Sequence, residues 1–213
     1  MSSDVLVTTP AQRQTEPHAE AVPRNRRQQA TFRKVLAAAM ATLREKSYAD
    51  LTVRLVAARA KVAPATAYTY FSSKNHLIAE VYLDLVRQVP CVTDVNVPMP
   101  IRVTSSLRHL ALVVADEPEI GAACTAALLD GGADPAVRAV RDRIGAEIHR
   151  RITSAIGPGA DPGTVFALEM AFFGALVQAG SGTFTYHEIA DRLGYVVGLI
   201  LAGANEPSTG GSE

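Results

Sequence analysis

Residues Thr52–Lys74 read TVRLVAARAKVAPATAYTYFSSK, and this stretch decides the fold. Val53, Val56, Ala57 and Ala60 recur at helical spacing, and Thr52 stands just ahead of them, where a hydroxyl accepts a hydrogen bond from an orphan amide of the first turn. Lys61, Val62 and Ala63 form a turn. Pro64 opens a second segment at the first helical position, where its missing N–H costs nothing, and the helix should run to about Tyr70. Two short helices joined by a tight turn are the grammar of a helix-turn-helix.

The second helix of such a pair enters a DNA major groove while the first crosses the backbone. Helical spacing turns Ala67 and Phe71 inward and leaves Ala65, Thr66, Tyr68, Thr69 and Tyr70 toward the groove and its walls. A phenolic hydroxyl on Tyr68 or Tyr70 and the ammonium of Lys74 suit phosphates, which fix register. Thr66 and Thr69 suit base edges, since a Thr methyl packs on a thymine methyl and its hydroxyl serves either kind of edge. Charge agrees: from Arg24 to Lys74 eleven basic residues face two acidic ones, Glu45 and Asp50, a surplus of nine in a chain whose net charge is zero. A basic head on an acidic body points to a nucleic-acid partner for the head alone.

The run T-V-R-x-V-A-x-x-A-x-V-A-x-x-T-x-Y-x-Y-F-x-S-K resembles the TetR-type repressor signature, with Y-x-Y-F-x-S-K its most diagnostic part and residues 27–87 the extent of the likeness. The resemblance implies a first helix packed across the helix-turn-helix and an all-helical ligand-binding and dimerisation body. It implies phosphate contacts from Thr52, Arg54, Tyr68, Tyr70 and Lys74, and places Ala63, Pro64, Ala65, Thr66 and Thr69 against the DNA. Three positions depart from the pattern. Lys61 replaces the turn glycine, which should force a residue with a Cβ into a left-handed conformation at about 1–2 kcal/mol. Ala63 replaces a serine, removing a cap and a phosphate ligand, and Ala65 stands where glycine is usual.

The flanks follow. Residues 1–23, with Pro10, Pro17 and Pro23 and no apolar period, read as a disordered tail, as do residues 206–213. Arg24, Arg26 and Arg27 form either an arm for the minor groove or a flexible charged tail. Phe32, Val35, Leu36, Ala39 and Leu43 lie on one face of a helix from Arg27 to Lys46, and Leu77, Ile78, Val81, Tyr82, Leu85 and Val86 on one from Asn75 to Val89. Residues 24–87 are thus the expected DNA-binding head and 88–205 the body. Pro90, Pro98 and Pro100 mark the loop between them. Turn residues divide the body into helices at 101–115, 119–130, 135–156, 162–180 and 185–203, about nine in the all-α whole.

Helix 162–180 is expected to be buried nearly all round. The pairing of the last two helices with their copies, through Phe166, Met170, Phe173, Gly174, Val177, Leu193, Val197 and Leu201, would build a C2 dimer. Its two reading helices would then meet half-sites of a palindromic operator about 34–36 Å apart, or a multiple of that. A membrane span is set aside because Glu169 interrupts the run and its apolar length falls short of roughly 20 residues. Leu107, Val114, Leu128, Phe172 and Leu176 are the expected lining of a hydrophobic effector pocket, with Arg108, His109 or His149 as polar anchors. Cys91 and Cys124 offer no metal site, the latter reading as a small buried hydrophobe, and the chain as reduced and cytoplasmic. Asp130 and Asp134 read as a helix end and a capping aspartate rather than a cation site. His109, His149 and His187 accompany no nucleophile or metal-ligand spacing, so no catalytic residue and no cofactor are expected. The reading is a homodimeric repressor released by a small hydrophobic molecule. Its alternatives are a ligand-independent regulator, an activator on the same scaffold, and an enzyme or binding protein with a vestigial head.

Overall fold

The computed structural model describes residues 25–204; the predicted tails and Arg24 lie outside them. Nine α-helices follow in order: α1 (Arg26–Leu43), α2 (Val53–Arg59), α3 (Pro64–Tyr70), α4 (Lys74–Gln88), α5 (Met99–Ala111), α6 (Pro118–Asp130), α7 (Pro135–Ile156), α8 (Pro162–Gly180) and α9 (Tyr186–Ala204). Short 3-10 turns at Leu112–Val114 and Gly131–Ala133 link α5 to α6 and α6 to α7, and no strand occurs among the described residues.

Helix starts are set by short polar side chains that satisfy first-turn amides. Asn25 accepts from the Gln28 amide at 2.9 Å while the Gln28 side chain accepts from the Asn25 amide at 2.9 Å, a reciprocal capping box on α1. Thr52 caps α2 through the Leu55 amide (3.1 Å), Ser73 caps α4 through His76 (3.0 Å), and Asp161 caps α8 through Thr164 (2.7 Å). Asp134 caps α7, as its sequence position suggests, accepting from Ala136 at 2.9 Å; its other oxygen accepts from the Ser73 hydroxyl at 2.9 Å, joining the starts of α4 and α7. Met99 and Pro100 belong to the first turn of α5, so Pro100 begins this helix instead of ending the loop.

The α2–α3 turn follows the sequence expectation closely. Val62 donates to the Ala57 carbonyl (2.9 Å) and Lys61 to Ala58 (3.0 Å), the paired bonds that close a helix through a left-handed residue. That residue is Lys61, at φ 51°, the one non-glycine with positive φ among the described residues.

Around this turn the core of the head closes: Val35, Leu36, Ala39, Leu51, Val53, Val56, Ala57, Ala67 and Phe71 are buried, and Phe71 stacks on Phe32 with centroids 5.1 Å apart. The helix α4 packs on α1 and on α6 and α7, connecting head to body. Its buried Glu80 accepts from Arg143 of α7 at 2.7 Å. In the body α9 packs on α5 and α8, burying Ile189, Leu193, Val197 and Leu201.

Two expectations about facing are corrected. Leu193, Val197 and Leu201 recur every four residues and seal α9 inside the subunit, so they are not available to a second copy. Helix α8 is not enclosed: Phe166 is 61% and Met170 50% exposed, Val177 is also exposed, and Val165, Leu168 and Phe172 hold the buried side. By length and composition this 19-residue helix is apolar enough to cross a membrane, so length does not set that reading aside. Its Asp161 cap and its packing against α6, α7 and α9 are those of a bundle helix with one open apolar face.

Candidate nucleic-acid interface and ligand cavity

The α3 helix is seven residues long and can hold only one face inward. Ala67 supplies it, fully buried, and Phe71 just beyond the helix completes the seat. Ala63, Pro64, Ala65, Thr66, Tyr68 and Thr69 are exposed, as the spacing requires. Tyr70 is half-buried, its ring edge-on to Phe32 at 6.2 Å, so it leans on α1 more than the sequence suggests. Ala63 sits at the N-cap with no side-chain bond to the first turn. The Thr69 hydroxyl donates to the Ala65 carbonyl at 3.1 Å, which leaves its oxygen able to accept.

Arg26, Arg27, Thr52 and Arg54 are exposed near the starts of α1 and α2. Two other cations of the head are already paired: Arg44 with Glu117 and Arg59 with Glu45. Lys74 is half-buried; its ammonium donates to the carbonyls of Tyr48 (3.1 Å) and Ala49 (3.4 Å) and lies 4.4 Å from the centre of the Tyr48 ring. An ammonium has three donors, so one remains for an external oxygen, but the residue first of all ties the α1–α2 corner to α4.

The body holds a cavity of about 300 Å³ among α4, α6, α7, α8 and α9. Leu128 and Leu176 line it, as expected; Leu107, Val114 and Phe172 do not, since their helices turn them into the packed core. Phe173, placed by the sequence at a dimer interface, also lines it. Nor do the expected anchors reach it: Arg108 pairs with Asp191 and His149 with Glu169 (2.8 Å), and His109 is exposed. The polar wall comes instead from Tyr82, Thr125, Arg141 and Tyr186, which no local pattern marks because four helices bring them together. Burial pushes the Tyr82 hydroxyl far above its ordinary pKa and the Cys124 thiol up to about 12, so both stay protonated. Gly121 makes the room: a Cβ there would run into the Tyr186 ring. Both cysteines are free, Cys124 buried and Cys91 exposed.

Residues 35–81 match the family model described as bacterial regulatory proteins, tetR family. This segment carries a TetR-type helix-turn-helix domain. Solved structures agree on the fold of the chain over most of its length. A TetR transcriptional regulator from Rhodococcus sp. RHA1 superposes with a TM-score of 0.69 at 21% identity, covering 85% of this chain and 99% of that one. Thermus thermophilus FadR, a TetR-family repressor in complex with lauroyl-CoA, gives 0.60 at 18% identity, over 85% and 99%. Bacillus subtilis FadR in complex with stearoyl-CoA gives 0.54 at 14% identity, over 81% and 98%. The TetR helix-turn-helix is α2–α3, and the family model also takes in the second half of α1 and the first half of α4.

Proposed function

We propose that this chain is a TetR-family regulator, a homodimeric repressor that binds a palindromic operator and leaves it when a small, largely hydrophobic molecule fills the body. The observation that carries the reading is the exposed face of α3, where Ala65, Thr66, Tyr68 and Thr69 stand clear of a fully packed core inside a basic head. Thr66, Thr69 and Ala65 read bases, with Ala63 and Pro64 close to the backbone. Tyr68, Tyr70, Thr52, Arg54 and Lys74 meet phosphates, joined by Arg24, Arg26 and Arg27 at the approach of α1.

The second copy docks on the open face of α8 and α9. Phe166 and Met170 on α8, with Tyr195 (72% exposed) and Leu199 (56% exposed) on α9, are large apolar side chains left in water on two helices that pack together, and a second copy would cover them. Two-fold pairing there gives the symmetry a palindrome demands. Release follows from the cavity: Tyr82 on α4 forms part of its wall, and only three residues separate α4 from α3. A ligand that favours one setting of α4 over another shifts the population on or off the operator. The apolar lining, and the acyl-CoA ligands in the two FadR structures, support an effector with an apolar body.

Gel shift with the DNA upstream of its own gene tests this. We expect one dimer per palindrome, uniform weakening for Tyr68→Phe and for Lys74→Ala, and altered base preference for Thr69→Ala. Equal affinity for that DNA and for scrambled sequence would overturn the reading.

A further inference from the structure

The cavity wall is apolar except for four polar side chains, and two of these carry buried polar atoms without partners. Tyr82 is only 4% exposed and its hydroxyl has no hydrogen-bond partner. The Nε of Arg141 is likewise buried and unpartnered. Among the described residues Arg141 is the one charged group of the wall, and no carboxylate lines the cavity to balance it. A buried guanidinium N–H and a buried hydroxyl without partners beside apolar space are costly in the empty protein and favourable once an acceptor arrives.

We propose that this cavity takes a monocarboxylate with a compact apolar body, its carboxylate accepting from Arg141 and Tyr82 and its body lying against Leu128, Ile144, Phe173 and Leu176. A planar guanidinium suits a carboxylate in particular, and the neutral Tyr82 hydroxyl donates to the same group. The volume of about 300 Å³ is at the low end of small-molecule sites, which span roughly 300–1,000 Å³, so it holds a free acid better than a large conjugate. The bound anion would join α4, through Tyr82, to α7, through Arg141. The inference deepens the proposed ligand response and takes its regulatory meaning from it.

Calorimetry and thermal unfolding of the full chain with octanoate, decanoate and phenylacetate, each beside the alcohol of the same skeleton, test it. At least one acid should bind about tenfold more tightly than its alcohol, the discrimination expected of charge-assisted hydrogen bonds. Arg141→Met should remove that margin while alcohol affinity stays within about threefold, which also shows that the variant is folded. Tyr82→Phe should weaken the acid by about threefold to tenfold. Failure of all three acids, equal binding of acid and alcohol, unchanged acid affinity in Arg141→Met, or tighter binding of the coenzyme A thioester of decanoate would each overturn the proposal. Repeating the operator gel shift with the acid separates the two readings. Arg141-dependent binding that leaves the shifted band intact keeps the anion site and ends the ligand-released repressor; release of DNA that persists in Arg141→Met does the reverse.

Discussion

The head and the body solve the same packing problem with different amounts of slack. In the head, α2 and α3 are seven residues each, so nearly every inward position is committed: Val53, Val56, Ala57 and Ala67 are buried, and Phe71 is sealed beneath Phe32. In the body, helices of 13 to 22 residues carry more apolar surface than the subunit can cover, and the excess appears as an internal cavity and an open α8–α9 face. The contrast assigns labour. A short, fully committed unit presents side chains to a rigid partner, whereas a loosely filled bundle can accept a guest and a second copy of itself.

The contrast breaks first at the open face. Changing Phe166 and Leu199 together to Glu should leave the fold intact, since both are exposed, yet convert the proposed dimer to a monomer in sedimentation. Operator affinity should then fall by about a hundredfold or more, because the two heads no longer bind as a linked pair. A dimer that survives both charges would mean that the excess apolar surface serves something else.

Next in size is the committed core. Phe71→Ala should cost about 3–5 kcal/mol in urea denaturation. If the head gave way to this change while the body kept its melting transition, the two regions would be separate cooperative units; a single joint transition would make them one.

The junction gives an intermediate effect. Burial alone would raise the Glu80 pKa, but His76, its Nε2 3.8 Å away, and the hydrogen bond and charge of Arg143 outweigh it and hold the carboxylate below its ordinary value. A carboxylate depressed in the folded state adds stability above its unfolded pKa and loses it as pH falls through the folded one. Glu80→Gln should therefore cost about 1.5–3 kcal/mol at neutral pH, as loss of hydrogen bonds to a charged group does, and the gap to the parent should close on acidification below the carboxylate range. An equal gap at acid and neutral pH would sink this account.

Smallest are two repairs in the head. Lys61→Gly relieves a Cβ at positive φ and should gain about 1 kcal/mol. Ala63→Ser supplies the missing cap of α3 and should gain about 0.5–2 kcal/mol. Chemical denaturation midpoints measure both.

This ordering matches what could be read before the structure. The bounds of α2 and α3, the left-handed Lys61 and the capless Ala63 were all legible, because caps, prolines and turn chemistry act within a few residues. The Asn25–Gln28 capping box was legible too, from its spacing, though easily passed over beside the motif. Facing in the body was not legible. Leu193 and Leu199 are chemically the same residue, and only the rotation of α9 against α5 buries one and exposes the other. Arg141 and Tyr82 lie on different helices, and nothing local in the sequence pairs them.

The bond between Ser73 and Asp134 has a further consequence. Ser73 receives the His76 amide and gives its proton to a carboxylate that receives the Ala136 amide, so two helix origins depend on one pair of small polar groups. Substitution at either position disturbs both origins at once. A survey of every replacement should therefore find these two sites far less permissive than their partial exposure would suggest, with tolerance recovering only a few residues to either side.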